Sequence, residues 1–254
     1  MLVSIITLFP EVFKPFLESS ILAKAQKRGK LRVNLSNLRD FGIGPHFRAR
    51  ARKEGSRFQR LPKRGSYKQV DDRPYGGGVG MILKVDVIAK ALEKVKNKKR
   101  KTKTVLLTPQ GKTFNQKIAR KLAREKHLIL ICGHYEGVDE RVHQLVDEEI
   151  SVGDYILTGG EIAAMVILDA VARLIPGVLE KEATQKESFS TYTLNAKPYT
   201  LLEPPQYTRP EEFARMRVPK VLLSGNHQKI KEWRLKEALK KTKRRRPDLL
   251  MTNV

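Results

Sequence analysis

Short apolar runs alternate along the chain with stretches whose apolar residues recur every three or four positions. That alternation is the pattern of parallel strands joined by helices that cover the sheet. It predicts strands at Val3–Phe9, Leu31–Leu35, Thr104–Thr108 and Leu128–Cys132. The last is apolar throughout, which suits a strand buried on both faces. Helices are predicted near Val12–Ala25, Val85–Lys96 and Asn115–Lys126. A fourth is predicted over Glu161–Leu174, where Ile162, Met165, Val166, Asp169 and Ala170 recur at helical spacing, and Pro176 and Gly177 end it.

Beyond that helix, residues 177–196 are polar and aperiodic, so they read as a flexible linker. The linker separates a larger α/β domain, residues 1–176, from a smaller one, residues 197–254, and 254 residues suffice for two cores. Cys132 is the single cysteine, which excludes an internal disulfide and a cysteine-rich zinc site. No stretch reaches the ~18 apolar residues of a membrane span. Met1–Ser4 lacks the basic start of a secretion signal. A cytoplasmic location, with no membrane partner, is therefore expected.

Charge sharpens the picture. Lys and Arg number 51 against 27 Asp and Glu, a formal net charge of +24. Such a surface attracts polyanions and gains from counterion release, which favours nucleic acid over a metabolite or a neutral protein. Two regions concentrate it. Residues 46–69 carry Arg48, Arg50, Arg52, Lys53, Arg57, Arg60, Lys63, Arg64 and Lys68 against Glu54 alone, with Gly55, Pro62 and Gly65 breaking any helix. This stretch reads either as an RNA-gripping arm or as a solvated insertion. The second region runs from Lys229 to Arg246 on a predicted helix stopped by Pro247, and reads as a binding face.

The chain has no Walker motif, strand-borne GxGxxG, HExxH or GxSxG elbow, which sets aside the familiar hydrolase and nucleoside-triphosphate readings. It has instead three glycine-bearing loops beside strand-like runs: Thr108-Pro109-Gln110-Gly111, Gly133-His134-Tyr135-Glu136-Gly137, and Gly153 through Glu161. Any one alone is most simply a tight turn. Together they predict a ligand crevice, because loops at the carboxyl ends of parallel strands gather there and glycine admits close backbone approach.

These loops, with Asp71-Asp72-Arg73-Pro74-Tyr75-Gly76-Gly77-Gly78 before them and Leu222-Leu223-Ser224-Gly225-Asn226-His227 after them, stand in the order of the TrmD family's motifs. The chain resembles that family, of the SPOUT class, over nearly its whole length. The resemblance implies an α/β parallel-sheet domain with a deep trefoil knot, plus a small, mainly helical, tRNA-binding C-terminal domain. It also implies a homodimer that moves a methyl group from S-adenosylmethionine to N1 of the guanosine just 3′ of the anticodon. Periodicity carries no sign of a knot, which runs against the rule that chains do not thread loops.

By the same resemblance, cofactor contacts are expected from Leu107, Thr108, Pro109 and Gln110, from Gly133, Tyr135, Glu136 and Gly137, and from Val152, Gly153, Asp154, Tyr155, Ile156, Leu157, Gly159 and Gly160. Backbone edges mixed with Leu107, Tyr135, Ile156 and Leu157 suit a ligand that needs hydrogen bonds for adenine and an apolar slot. Glu136 is also placed to help hold Mg²⁺, an ion that takes oxygen ligands. RNA contacts are expected from Asp72, Gly80, Ser224, Asn226, His227, Lys231 and Arg234. Cys132 reads as core packing at a strand end.

Neutral guanine has no in-plane lone pair at N1, so methylation there requires a general base, and charge flowing toward O6 favours a cation. Arg173, in Val171-Ala172-Arg173-Leu174-Ile175-Pro176-Gly177, matches the family's catalytic arginine; its plain alternative is a cation at a helix end. The family's base is an aspartate in the following linker, and Glu187 stands at that place, in a linker one residue shorter. Glu182 remains the other choice. His134 stands where the family commonly has arginine or another polar residue, Val79 replaces a proline, and Tyr67 and Lys68 stand near the family's histidine and basic residue. Two rivals are another SPOUT enzyme acting on ribose or ribosomal RNA, and a basic RNA-binding protein without catalysis.

Overall fold

Apolar β-branched runs pair side by side when helices can cover both faces of the resulting sheet, and five such strands form the centre of the first part of the chain. In a computed structural model, residues 1–42, 69–96, 101–185, 187–194 and 197–251 are described. They divide into two units, Met1–Val178 and Leu179–Val254. The basic stretch 46–69, apart from its last residue, lies outside the described residues, and Tyr67 and Lys68 with it.

In the first unit, β1 (Leu2–Thr7), β2 (Arg32–Asn37), β3 (Thr102–Thr113), β4 (His127–Cys132) and β5 (Glu148–Ser151) lie in the order β2-β1-β4-β3-β5, every pair parallel. All six residues of central β4 are buried. Helices α1 (Ser20–Lys27), α2 (Val85–Val95), α3 (Gln116–Leu122) and α4 (Glu161–Ala172) accompany the sheet. On one face Ile6, Leu106, Ile129 and Ile131 form a core with Val87, Ile88, Ala91 and Leu92 of α2. Leu128 and Leu130 alternate to the other face, where α4 packs on β4 and buries Ala164, Ile167, Leu168 and Val171. At the amino end, buried His127 joins three strands, with Nε2 3.0 Å from the Ser4 hydroxyl and Nδ1 3.2 Å from that of Thr102.

The expected elements are present with shifted bounds and two differences. The single helix expected at Val12–Ala25 is instead a 3-10 turn (Pro10–Phe13), one helical turn (Lys14–Leu17) and α1. The Ser19 hydroxyl donates to the Phe16 carbonyl at 2.8 Å, and Ser20 has a φ of +44°, which breaks the helical path. Strand β5 was not expected, because Glu148 and Glu149 hide it among polar residues. Glu148 is satisfied there by Lys103 at 3.0 Å and by Lys121.

In the second unit, α5 (Lys181–Gln185) and β6 (Ser190–Leu194) fall within the span read as linker. Strand β7 (Lys197–Leu201) pairs with β6 as an antiparallel hairpin, and α6 (His227–Arg245) is 19 residues long. Buried Thr242 of α6 accepts from the Leu202 N–H at 2.9 Å and donates to the Ala238 carbonyl at 2.7 Å, which fixes the helix beside the strand's end. No helix among the described residues is long and apolar enough to cross a membrane.

Leu130 is fully buried at the centre of the sheet. Leu130→Ala is expected to destabilise the first unit by roughly 2–5 kcal/mol. Urea unfolding measures it, and a loss below about 1 kcal/mol would contradict the burial of β4 on both faces.

Candidate functional site

Strands β3, β4 and β5 are neighbours, so their carboxyl ends deliver the three glycine loops to one edge of the sheet. The first loop is an excursion within β3: Leu107 and Lys112 both pair with Ile150, and Thr108–Gly111 bulge out between them. Gly111 lies so close to β5 that a Cβ would fall 2.4 Å from the Ile150 nitrogen.

The second loop, after β4, is fastened from two sides. Its Glu136 N–H donates to the Met81 carbonyl at 3.1 Å, and its Gly137 carbonyl accepts from Leu83 at 3.0 Å. The segment carrying Gly80 therefore lies against Glu136, and Asp72 pairs beside it with Ile82. Asp139 then caps the following 3-10 turn (Glu140–Leu145) and takes two hydrogen bonds from the Arg141 side chain, at 2.9 and 2.7 Å. Those bonds hold its carboxyl below the usual range.

The third loop begins at Ser151, whose hydroxyl bonds the Gly153 carbonyl and N–H at 3.0 and 3.2 Å. The Phe114 N–H donates to the Ser151 carbonyl at 2.7 Å, which ties this loop to the end of β3. The Gly160 N–H donates to the Gly133 carbonyl at 2.8 Å, and His134 bridges to Gly159, which ties it to the loop after β4. A Cβ on Gly160 would stand 2.7 Å from the Cys132 Cα and 2.9 Å from the Gly133 nitrogen. All three loops thus meet through backbone, with Tyr135, Tyr155 and Ile156 presenting exposed apolar surface, Ile156 82% exposed. Backbone polar groups beside exposed apolar side chains suit a small ligand that needs both hydrogen bonds and an apolar slot.

A sequence model described as tRNA (Guanine-1)-methyltransferase TrmD matches residues 1–56 and 59–252. The chain belongs to the TrmD family. It is 53% identical over 252 residues to a tRNA (guanine-N(1)-)-methyltransferase of Carboxydothermus hydrogenoformans, with 98% of this chain and 87% of the relative covered. Those of Dictyoglomus turgidum and Geobacillus kaustophilus are 49% and 50% identical, each covering 98% of this chain and respectively 89% and 91% of their own lengths.

In this TrmD-family chain the expected cofactor residues are brought together, and the expected catalytic and RNA residues divide between the units. Arg173 caps the carboxyl end of α4 in the first unit. Glu187 and Glu182 belong to the second, where Glu187 is buried, 9% exposed, and Glu182 is exposed. That burial departs from the solvated side chain ordinary for a linker glutamate. Of the carboxyl-terminal residues, His227, Lys231 and Arg234 line a cavity of about 1440 Å³ with Tyr192, Pro204, Tyr207 and Arg209. Its prolines and tyrosines carried no signal in the sequence. Asn226 caps α6 through Lys229 N–H at 3.0 Å, and the Ser224 hydroxyl closes its own turn on the Val221 carbonyl, so both shape the backbone of this motif.

Cys132 is buried, and burial together with the charge of Glu161 pushes its thiol well above the ordinary range, as expected for packing and not for a nucleophile. Among the described residues no three His, Cys, Asp or Glu side chains gather for a metal. Glu136 offers one exposed carboxylate, so a Mg²⁺ ion held there would take its remaining ligands from water or substrate oxygens.

Gly160→Ala is expected to force the loops after β4 and β5 apart, costing roughly 1–3 kcal/mol by overpacking against backbone. S-adenosylmethionine affinity, measured by calorimetry, should fall with it. An alanine variant with unchanged stability and affinity would contradict the close approach.

Proposed function

We propose that this chain transfers a methyl group from S-adenosylmethionine to N1 of the guanosine immediately 3′ of the anticodon in tRNA. The observation that carries this reading is the meeting of three glycine loops at one sheet edge in a chain that belongs to the TrmD family. Backbone groups of Leu107–Gln110, Gly133–Gly137 and Val152–Gly160 would hold the cofactor. Bound there, S-adenosylmethionine supplies an electrophilic methyl on a sulfonium. The chain wraps it in a deep trefoil knot, and the work is done in the cytoplasm.

Glu187 takes the proton from guanine N1, which frees the lone pair that attacks the methyl. Arg173 offers a planar fork to O6 and offsets the charge that gathers there. The two groups act together in a homodimer, with the segment that carries Glu187 closing from the partner subunit over a base drawn out of its stack. The dimer is supported by Ile162 and Val166, which lie one turn apart on α4 and stay 54% and 45% exposed, an apolar stripe of the kind that subunits cover. Helix α6 lines Lys229, Lys231, Arg234, Lys236, Lys240, Lys241, Lys243, Arg244 and Arg245 along one element, a surface for RNA phosphates.

The test is to incubate the protein with methyl-labelled S-adenosylmethionine and a tRNA transcript carrying G next to the anticodon, then to digest and identify the labelled nucleoside. 1-Methylguanosine is expected; a labelled ribose or no label would overturn the reading. In single-turnover assays Glu187→Gln should lose ~10² to 10⁴ in rate with cofactor binding kept. Arg173→Lys should lower turnover by at least about tenfold with little change in cofactor affinity. If Glu182→Gln loses the rate and Glu187→Gln keeps it, the base is Glu182.

A further inference from the structure

Glu161 is a carboxylate buried to 7% exposure in the first unit, at the end of the third glycine loop and against the second. It is the first residue of α4, where the helix amino terminus favours a negative charge. Its Oε1 accepts a hydrogen bond from the Thr7 hydroxyl at 2.6 Å, across 154 residues of sequence. Thr7 is the last residue of β1, and its hydroxyl oxygen also accepts from the Phe9 N–H at 3.0 Å. The chain of bonds therefore runs from the turn after β1, through Thr7, to the start of α4.

The other carboxylate oxygen faces the loops. A Cβ on Gly159 would stand 2.4 Å from Glu161 Oε2 and 2.5 Å from His134 Nδ1, so the Gly159 backbone rests on both side chains. His134 Nδ1 lies 3.9 Å from Oε2, and it is buried with no hydrogen-bond partner among the described residues. The His134 ring is gripped in turn by Phe9, with centroids 5.0 Å apart, and by Tyr135, at 4.8 Å. One carboxylate thus touches elements from the ends of β1, β4 and β5.

We infer that Thr7 and Glu161 are positioning residues for the cofactor: their hydrogen bond anchors the loops carrying His134 and Gly159–Gly160 in the binding-competent arrangement. This inference rests on the cofactor reading above and adds a residue pair to it. A buried carboxylate is stable only when its lone pairs are used, so its position is set tightly by the few groups it touches. Loosening it frees the second and third loops without altering any group that handles the base. Cofactor affinity should suffer, and the chemical step at saturating cofactor should not.

Calorimetry with S-adenosylmethionine and steady-state methyl transfer to tRNA test this on the full chain. Thr7→Val, which keeps the shape and removes the donor, is expected to weaken cofactor binding and raise the cofactor KM about tenfold, the scale of a hydrogen bond to a charged group, with kcat held within about twofold. Thr7→Ser should restore wild-type affinity. The double variant Thr7→Val/Glu161→Asp should bind no more weakly than the worse single variant, since both break one interaction. Glu161→Asp, one methylene shorter and still charged, should show the same loss of affinity, and serves if removing the hydroxyl impairs folding. Wild-type affinity in Thr7→Val or Glu161→Asp, a loss confined to kcat, or full additivity in the double variant would overturn the anchor. If the wild type itself binds no S-adenosylmethionine, the cofactor reading falls and the anchor with it.

Discussion

The backbone contact between Gly160 and Cys132–Gly133 is the approach on which the rest of the site in the first unit depends. The bond from Gly160 N–H to the Gly133 carbonyl leaves no space for a side chain. It fixes the start of α4 over the end of β4, and with it the loops on either side. Strand β3 meets the same assembly through Gly111 and the Phe114–Ser151 bond. Three segments far apart in sequence become one surface because glycine lets their backbones touch.

The two buried carboxylates among the described residues fall one in each unit, Glu161 and Glu187. Buried acids are costly, and each is retained where the proposed chemistry has a use for it. Glu161 sits against the second and third loops with a short bond to Thr7, which suits a fixed structural charge. Glu187 sits in the segment that the family resemblance assigns to proton removal. The chain as a whole carries a net charge of +24, which attracts polyanions, while these two carboxylates are sheltered from solvent.

Much of this was legible in the chain. The continuous apolar run Leu128–Cys132 is the central strand, and α2 begins at its expected residue because its buried positions recur at helical spacing. Helix α4 also begins where expected, but the stripe Ile162, Met165, Val166, Asp169 and Ala170 that marked it is the outer face, and Ala164, Ile167, Leu168 and Val171 face the core instead. Strand β5 was hidden because an edge strand that presents Glu148 to lysines does not look apolar. The break at Ser19–Ser20 was hidden because it depends on one hydroxyl bond and one left-handed residue. The glycine loops could be named from their motifs, but the Thr7–Glu161 bond could not, since no local pattern links residues 154 apart. Nor did the sequence show that Ser224 and Asn226 are engaged in shaping their own turn and helix cap.

The claim that the three loops form one cofactor surface is tested most directly by hydrogen–deuterium exchange read by mass spectrometry, with and without S-adenosylmethionine. The account predicts that exchange slows together at Thr108–Gly111, Gly133–Gly137 and Val152–Gly160, while α6 is unchanged. Slowing confined to a single loop, or found only in the second unit, would contradict it.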